Sequence, residues 1–297
     1  MKGQIQQFAW IFSVIVGAII LFLTFFFLSQ YAKQVEKPTR QITIASGLNL
    51  LLEPFSAISN IAEVRAEILE IPKDYYIEIG CERNYNTIKA RKIEEKYFEI
   101  SEKVLDKYIF SKPFNSKKNR KFIVYSVPIE IPFHVGNAII IVTNETCLAD
   151  LPYKKSDLEN TLAELEEIVK EEKIPKINFS CKDENRYNAK NGYGNMAGKY
   201  WIRSMVSAAA FSDKDLYDCN LDRILDRAIR IAELLEKKAQ IASQHGCNYG
   251  NIISVLKEYK ENAENFKKNR SNLESFYTFI EKLENANRNL NIECKLF

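Results

Sequence analysis

Six cysteines, two histidines and one short acidic run are the side chains of this 297-residue chain that are equipped for chemistry. The cysteines are Cys81, Cys147, Cys181, Cys219, Cys247 and Cys294. None stands in a C-x-x-C pair, the spacing that zinc sites and thioredoxin-like redox centres use, so disulfides or buried thiols are expected. His134 lies in a Pro-containing apolar turn and His245 stands beside Gly246; neither has a second histidine at ligand spacing, and no metal site is expected. Cys247 and His245 are two residues apart, and on a helix such a pair points in different directions, which argues against a Cys–His nucleophile. Asp213, Asp215 and Asp218 could hold a cation or share paired-carboxylate work, but acids also favour a helix start, and that reading is preferred.

The remaining motifs fail on context. Gly192-Tyr193-Gly194-Asn195-Met196-Ala197 has the form of a dinucleotide fingerprint, yet a polar stretch precedes it where a strand is required. Gly198-Lys199 is followed by Tyr200, where a P-loop needs Ser or Thr. There is no G-x-S-x-G sequence. No cofactor is expected and no enzymatic activity is assigned. The 42 basic side chains are nearly balanced by 39 acidic ones and are interleaved with them, which excludes the electrostatic footprint of a nucleic-acid binder.

The elements that must carry these residues begin with an apolar run. No charge falls between Lys2 and Lys33, and Phe8–Leu28 is apolar on every helical face. A helix of that length rises about 30 Å, the thickness of a bilayer's hydrocarbon core, so residues 1–33 are expected to be a retained transmembrane anchor. Trp10 and Tyr31 stand near its two ends, where amphipathic rings favour the interface. Residues 34–61 then form a polar stalk and a short helix.

Residues 62–152 are expected to form a small β-rich domain. Val64–Ile71 is β-rich, and Tyr75, Ile77 and Ile79 alternate with polar neighbours. Phe122–Val127 and Ala138–Thr143 read as strands joined by an irregular connection through Pro128, Pro132 and Gly136. Lys117, Lys118, Arg120 and Lys121 form a basic run, best read as a solvated loop. From 153 to 297 the period turns helical, completing an α+β chain that ends in a helical bundle. Ser156–Glu159 and Ser271–Glu274 have the form of capping boxes, Trp201–Phe211 reads as a packed helix, and Asn220 is the expected cap of a long helix. If the last three helices run up, down and up, Cys247 and Cys294 meet at one end, closing a loop of about 48 residues worth roughly 4 kcal/mol. Cys81 with Cys147 and Cys181 with Cys219 complete that scheme. If the last two helices merge instead, Cys294 returns near Cys219.

Two stretches carry resemblances. Lys2-Gly3-Gln4, directly before the apolar run, is similar to the class III signal of archaeal type IV pilin-like proteins. That likeness implies processing between Gly3 and Gln4, and either filament assembly or anchoring. The family places Glu at the fifth mature residue, where this chain has Phe8. Ala208–Asn220 and the terminal Cys294–Phe297, taken with the apolar run, resemble a group of single-pass membrane proteins from small-genome archaea. This implies an envelope location with the body outside, and implies no activity.

Lys and Arg counting across the run leans toward a cytoplasmic body. The even cysteine count, the sequons at Asn144, Asn178 and Asn269, and the second resemblance point outward. The expected function is therefore a membrane-anchored extracytoplasmic surface protein with a structural or binding role. Its expected partners are the lipid bilayer and envelope proteins, including copies of itself. A pilin-like filament subunit and an extracytoplasmic hydrolase are the alternatives.

Overall fold

A computed structural model describes residues 44–54, 65–94, 100–117, 120–143, 211–245 and 247–297, together with Phe22, Thr24, Phe26, Met205, Ala208 and Ala209. Among these residues no helix is long and apolar enough to cross a membrane. The run Phe8–Leu28 lies outside them, apart from the helical Phe22, Thr24 and Phe26. The chain is α+β.

The strands are β1 (Arg65–Glu70), β2 (Tyr75–Glu82), β3 (Tyr85–Lys92), β4 (Ile100–Val104), β5 (Tyr108–Phe110), β6 (Phe114–Asn115), β7 (Lys121–Glu130) and β8 (His134–Val142). They build two sheets, ordered β1-β7-β8-β5 and β4-β3-β2-β6. Pairing is antiparallel throughout except between β5 and β8.

Sheet β1-β7-β8-β5 is central, and both its faces are covered. Phe122, Val124, Ile139 and Ile141 pack against Ile77, Ile79, Ile88 and Ala90 of the second sheet. Ile123, Tyr125, Ala138 and Ile140 point the other way, into the helices. Adjacent strand residues face opposite sides, so a doubly covered strand must be apolar at nearly every position, as β7 and β8 are. β2 has one covered face and alternates accordingly. Its outer face is polar, with Glu78 opposite Lys89 at 3.6 Å and Arg91 5.0 Å from the ring centroid of Tyr76.

β7 and β8 form a hairpin, which corrects the irregular connection expected through Pro128 and Gly136. β7 continues through Pro128, whose only strand partner among the described residues is Asn137 of β8, because β1 meets β7 no further than Ser126. A strand tolerates proline where no second neighbour needs its N–H. The turn holds the cis bond Ile131–Pro132, and a bulge falls at Ile129/Glu130.

Residues 44–51 form helix α1. Ala45 and Leu48, with Leu52 just beyond, close the core between the sheets. Lys107 is 5% exposed and docks the same segment, donating to Asn49 Oδ1 at 2.8 Å and pairing with Glu53. Met205, Ala208, Ala209 and Phe211 are helical and buried in the core of the other face.

Three helices follow: α2 (Lys214–Ala242), α3 (Gly250–Lys268) and α4 (Leu273–Arg288). The apolar stripe of α2 runs through Leu221, Ile224, Ala228, Ala232 and Ala239, at the three- and four-residue spacings of one helix face. α2 opens earlier than its sequence suggests, with Asp213 at the N-cap position. Asn220 lies inside the helix, fully buried, and serves the site described below. At α4 the expected capping box does not form, because the Ser271 N–H that Glu274 would bind donates to Asn269 Oδ1 at 3.1 Å, beside the Ser271 hydroxyl at 2.8 Å. Ser156–Glu159 lies outside the described residues.

The helices run up, down and up, and Cys247–Cys294 closes the shared end of α2 and α4. The C-terminal tail is held there. Tyr249 donates to Cys294 O at 2.8 Å, Leu296 N donates to Asn287 Oδ1 at 2.8 Å, and the Phe297 ring meets Phe133 edge-on. The buried Tyr259 hydroxyl donates to Ile131 O at 2.6 Å and ties α3 to the hairpin.

Candidate functional site

The second disulfide joins Cys81 of β2 to Cys219 of α2. This corrects the expected Cys81–Cys147 and Cys181–Cys219 pairs, since Cys81 and Cys219 are spent on each other. Cys147 and Cys181 lie outside the described residues, among which no cysteine is free. With Cys247 bridged to Cys294, a Cys247–His245 nucleophile is excluded.

Beside Cys81–Cys219 lies a buried polar hub. β5 ends its sheet, and the Ile109 peptide groups are answered by two side-chain amides. Ile109 N donates to Asn86 Oδ1 at 3.2 Å, and Asn220 Nδ2 donates to Ile109 O at 2.8 Å. Buried peptide groups need such partners, and here an asparagine from each side stands in for a further strand. Arg223 Nη1 donates to both acceptors, Asn86 Oδ1 at 2.7 Å and Asn220 Oδ1 at 2.8 Å. Asn86 Nδ2 donates to Gly80 O at 3.0 Å. A Cβ at Gly80 would lie 2.4 Å from Thr87 Oγ1, so glycine is required where these strands meet.

Arg223 is 7% exposed, and its guanidinium stands 5.2 Å from the Tyr108 ring centroid, a cation–π contact. The same ring lies close to Gly136, where a Cβ would come 2.9 Å from Tyr108 Cε2. Arg227, one turn further along α2, stands close enough to Tyr108 for its charge to favour the phenolate. Burial raises the Tyr108 pKa above its ordinary value, and Arg227 and Arg223 pull it back. Burial also works against the Arg223 charge, with Tyr108 and Asp106 favouring it. A guanidinium nonetheless stays cationic at neutral pH.

Tyr108 and Arg223 form the floor of a cleft of about 1480 Å³ between α2, the strand edges and α3. Pockets for small ligands usually hold about 300–1,000 Å³. The β2–β3 turn contributes Arg83 and Asn84, β8 contributes His134 and Asn137, and α2 contributes Arg227, Arg230 and Leu234. Four arginines and one lysine line it against three carboxylates, of which Asp226 is paired with Lys267. Arg227 and Arg230 form no ion pair among the described residues. Burial lowers the pKa of His134 despite Glu130 nearby, and Arg227 lowers it further.

Of the residues singled out from the sequence, His134 lines this cleft, and so does Gly136 of the connection between β7 and β8. Asp213 holds the N-cap position of α2 without a side-chain capping hydrogen bond, Asp215 is exposed and Asp218 pairs with Lys214 at 3.4 Å, a solvated helix start. No metal-binding group of His, Cys, Asp and Glu occurs among the described residues. Asn269 is exposed between α3 and α4. Gly3, Gln4, Asn144, Asn178, Lys118 and the Gly192–Ala197 motif lie outside the described residues. Reading the sequence missed Asn86, Tyr108, Asn220, Arg223, Arg227 and Arg230. The available signal was the row Arg223, Arg227 and Arg230, spaced to share one helix face.

No family model, curated protein or solved structure matches the chain.

Proposed function

We propose that this protein is a membrane-anchored surface protein whose body lies outside the cytoplasm and acts as a binding module, with the arginine-lined cleft as its recognition site. The two disulfides carry the reading. One ties the sheets to α2 across 138 residues and the other closes the bundle across 47, so both halves of the body depend on an oxidising surrounding. The apolar run Phe8–Leu28 supplies the anchor, and the stalk after it leads to α1. Binding is favoured over hydrolysis because the Asp213–Asp218 cluster is no part of the cleft, in whose lining arginine and lysine outnumber the carboxylates.

The test is thiol labelling in intact cells with a membrane-impermeant maleimide. Labelling is expected only after an impermeant reductant is added, in a protein that sediments with membranes. Reactive thiols reached only after lysis, without reductant, would overturn the compartment. Recovery of the full chain in the soluble fraction would overturn the anchor.

A further inference from the structure

We infer that the cleft binds an organic oxyanion, a carboxylate or phosphate group held between Arg227 and Arg230 with its apolar part against Leu234. This rests on the binding role proposed above and names the ligand class.

The arrangement of α2 argues for it. Arg223, Arg227, Arg230 and Leu234 are spaced four, three and four residues apart, so one stripe carries three cations and then an apolar residue. Arg223 is consumed internally by Asn86, Asn220 and the Tyr108 ring, and it fixes that ring as a floor. Arg227 lines the cleft beside Tyr108 and has no ion pair among the described residues, which leaves its donors to the cleft. Arg230 is exposed and has no ion pair among the described residues. Three acids of α2 are paired elsewhere, Asp222 with Arg270, Asp226 with Lys267 and Glu236 with Lys260, and no ion pair joins Glu233 to the stripe among the described residues. Planar guanidinium groups match carboxylate and phosphate oxygens in pairs of parallel hydrogen bonds. Leu234 is 63% exposed and lines the same cleft, so an anion with an apolar tail would cover it.

Arg227 and Arg230 are therefore the ligand-binding residues, and Arg223 and Tyr108 are positioning residues. The test uses the full chain in non-ionic detergent, titrated calorimetrically with citrate, pyrophosphate, methyl phosphate and hexyl phosphate. Citrate or pyrophosphate is expected to bind, which separates carboxylate from phosphate preference. Arg227→Gln and Arg230→Gln should each weaken that binding about tenfold or more, as loss of a charged hydrogen bond does. Lys282→Gln, an exposed charge on α4 outside the cleft, should leave it unchanged. Hexyl phosphate should bind more tightly than methyl phosphate, and Leu234→Ser should remove the difference. Arg230→Gln keeps the test decisive if Arg227→Gln fails to fold, because the Arg230 side chain supports nothing in the interior.

Binding of none of the four probes overturns the inference, as does an equal loss in Lys282→Gln. Equal affinity for the two phosphate esters overturns its apolar half. The proposed compartment fails separately: anion binding by a chain whose thiols label only in lysed cells would leave the site standing. External thiols on a chain that binds no probe would leave the location standing and remove the ligand.

Discussion

The two sides of α2 hold similar numbers of charges and use them in opposite ways. Toward α3 each acid finds a base, as in Asp226 with Lys267 and Glu236 with Lys260. These pairs are partly solvated, and such pairs contribute about 0–1 kcal/mol. Toward the sheets the cations meet amides and an aromatic ring instead of carboxylates. One side uses charge to pack a helix. The other fixes a single arginine deeply and leaves the next two facing solvent space.

The contrast can be broken by mutation. The largest effect is expected on the sheet side, from removing the bridge with Cys81→Ala and Cys219→Ala. The bridge closes a long loop, so chemical denaturation should show a loss of about 5 kcal/mol. A loss near zero would mean that the hub holds α2 without it. Asn220→Ala should cost about 3 kcal/mol, because Ile109 O and the Arg223 guanidinium both lose a buried partner. Tyr259→Phe, at the far side of the bundle, should cost about 1–2 kcal/mol by orphaning Ile131 O. On the α3 side, Asp226→Asn should cost under about 1 kcal/mol. If it costs as much as Asn220→Ala, the two sides do not differ as described.

The smallest effect is a pH slope. His134 titrates below its ordinary value of 6.5 in the folded chain, chiefly through burial, with Glu130 opposing and Arg227 assisting. The unfolded chain then takes up the proton first. The contribution of His134 to stability is whole above about pH 6.5 and declines as pH falls through 6.5 toward the lower folded value. Thermal melts between pH 7 and pH 5 should show that decline, and His134→Gln should reduce it.

The sequence exposed the parts of this fold that repeat a pattern. β2 alternates because one face is covered, and β7 and β8 read as apolar runs because both are. The three-helix order was legible from apolar stripes, and with it the meeting of Cys247 and Cys294. β3 was missed because its outward Lys89 and Arg91 leave only Ile88 and Ala90 as inward apolar residues near its end. The Cys81–Cys219 bridge could not be read, since it depends on how the second sheet meets α2. Asn220 resembles a helix cap, yet its amide completes a strand edge 111 residues away. The cleft stayed hidden for a similar reason: three arginines on one helix face look like a solvated surface until Tyr108 and Asn86 are placed beneath them.

Lys107 and Tyr108 are neighbours in the chain with separate duties. Lys107 clamps the segment containing α1, while Tyr108 floors the cleft, to whose lining α1 adds nothing. Tension drawn through residues ahead of α1 would therefore be taken up by the double-sheet core, through Leu48, Leu52 and the Glu53 clamp. None of those three residues lines the cleft, whose arginine row lies on α2.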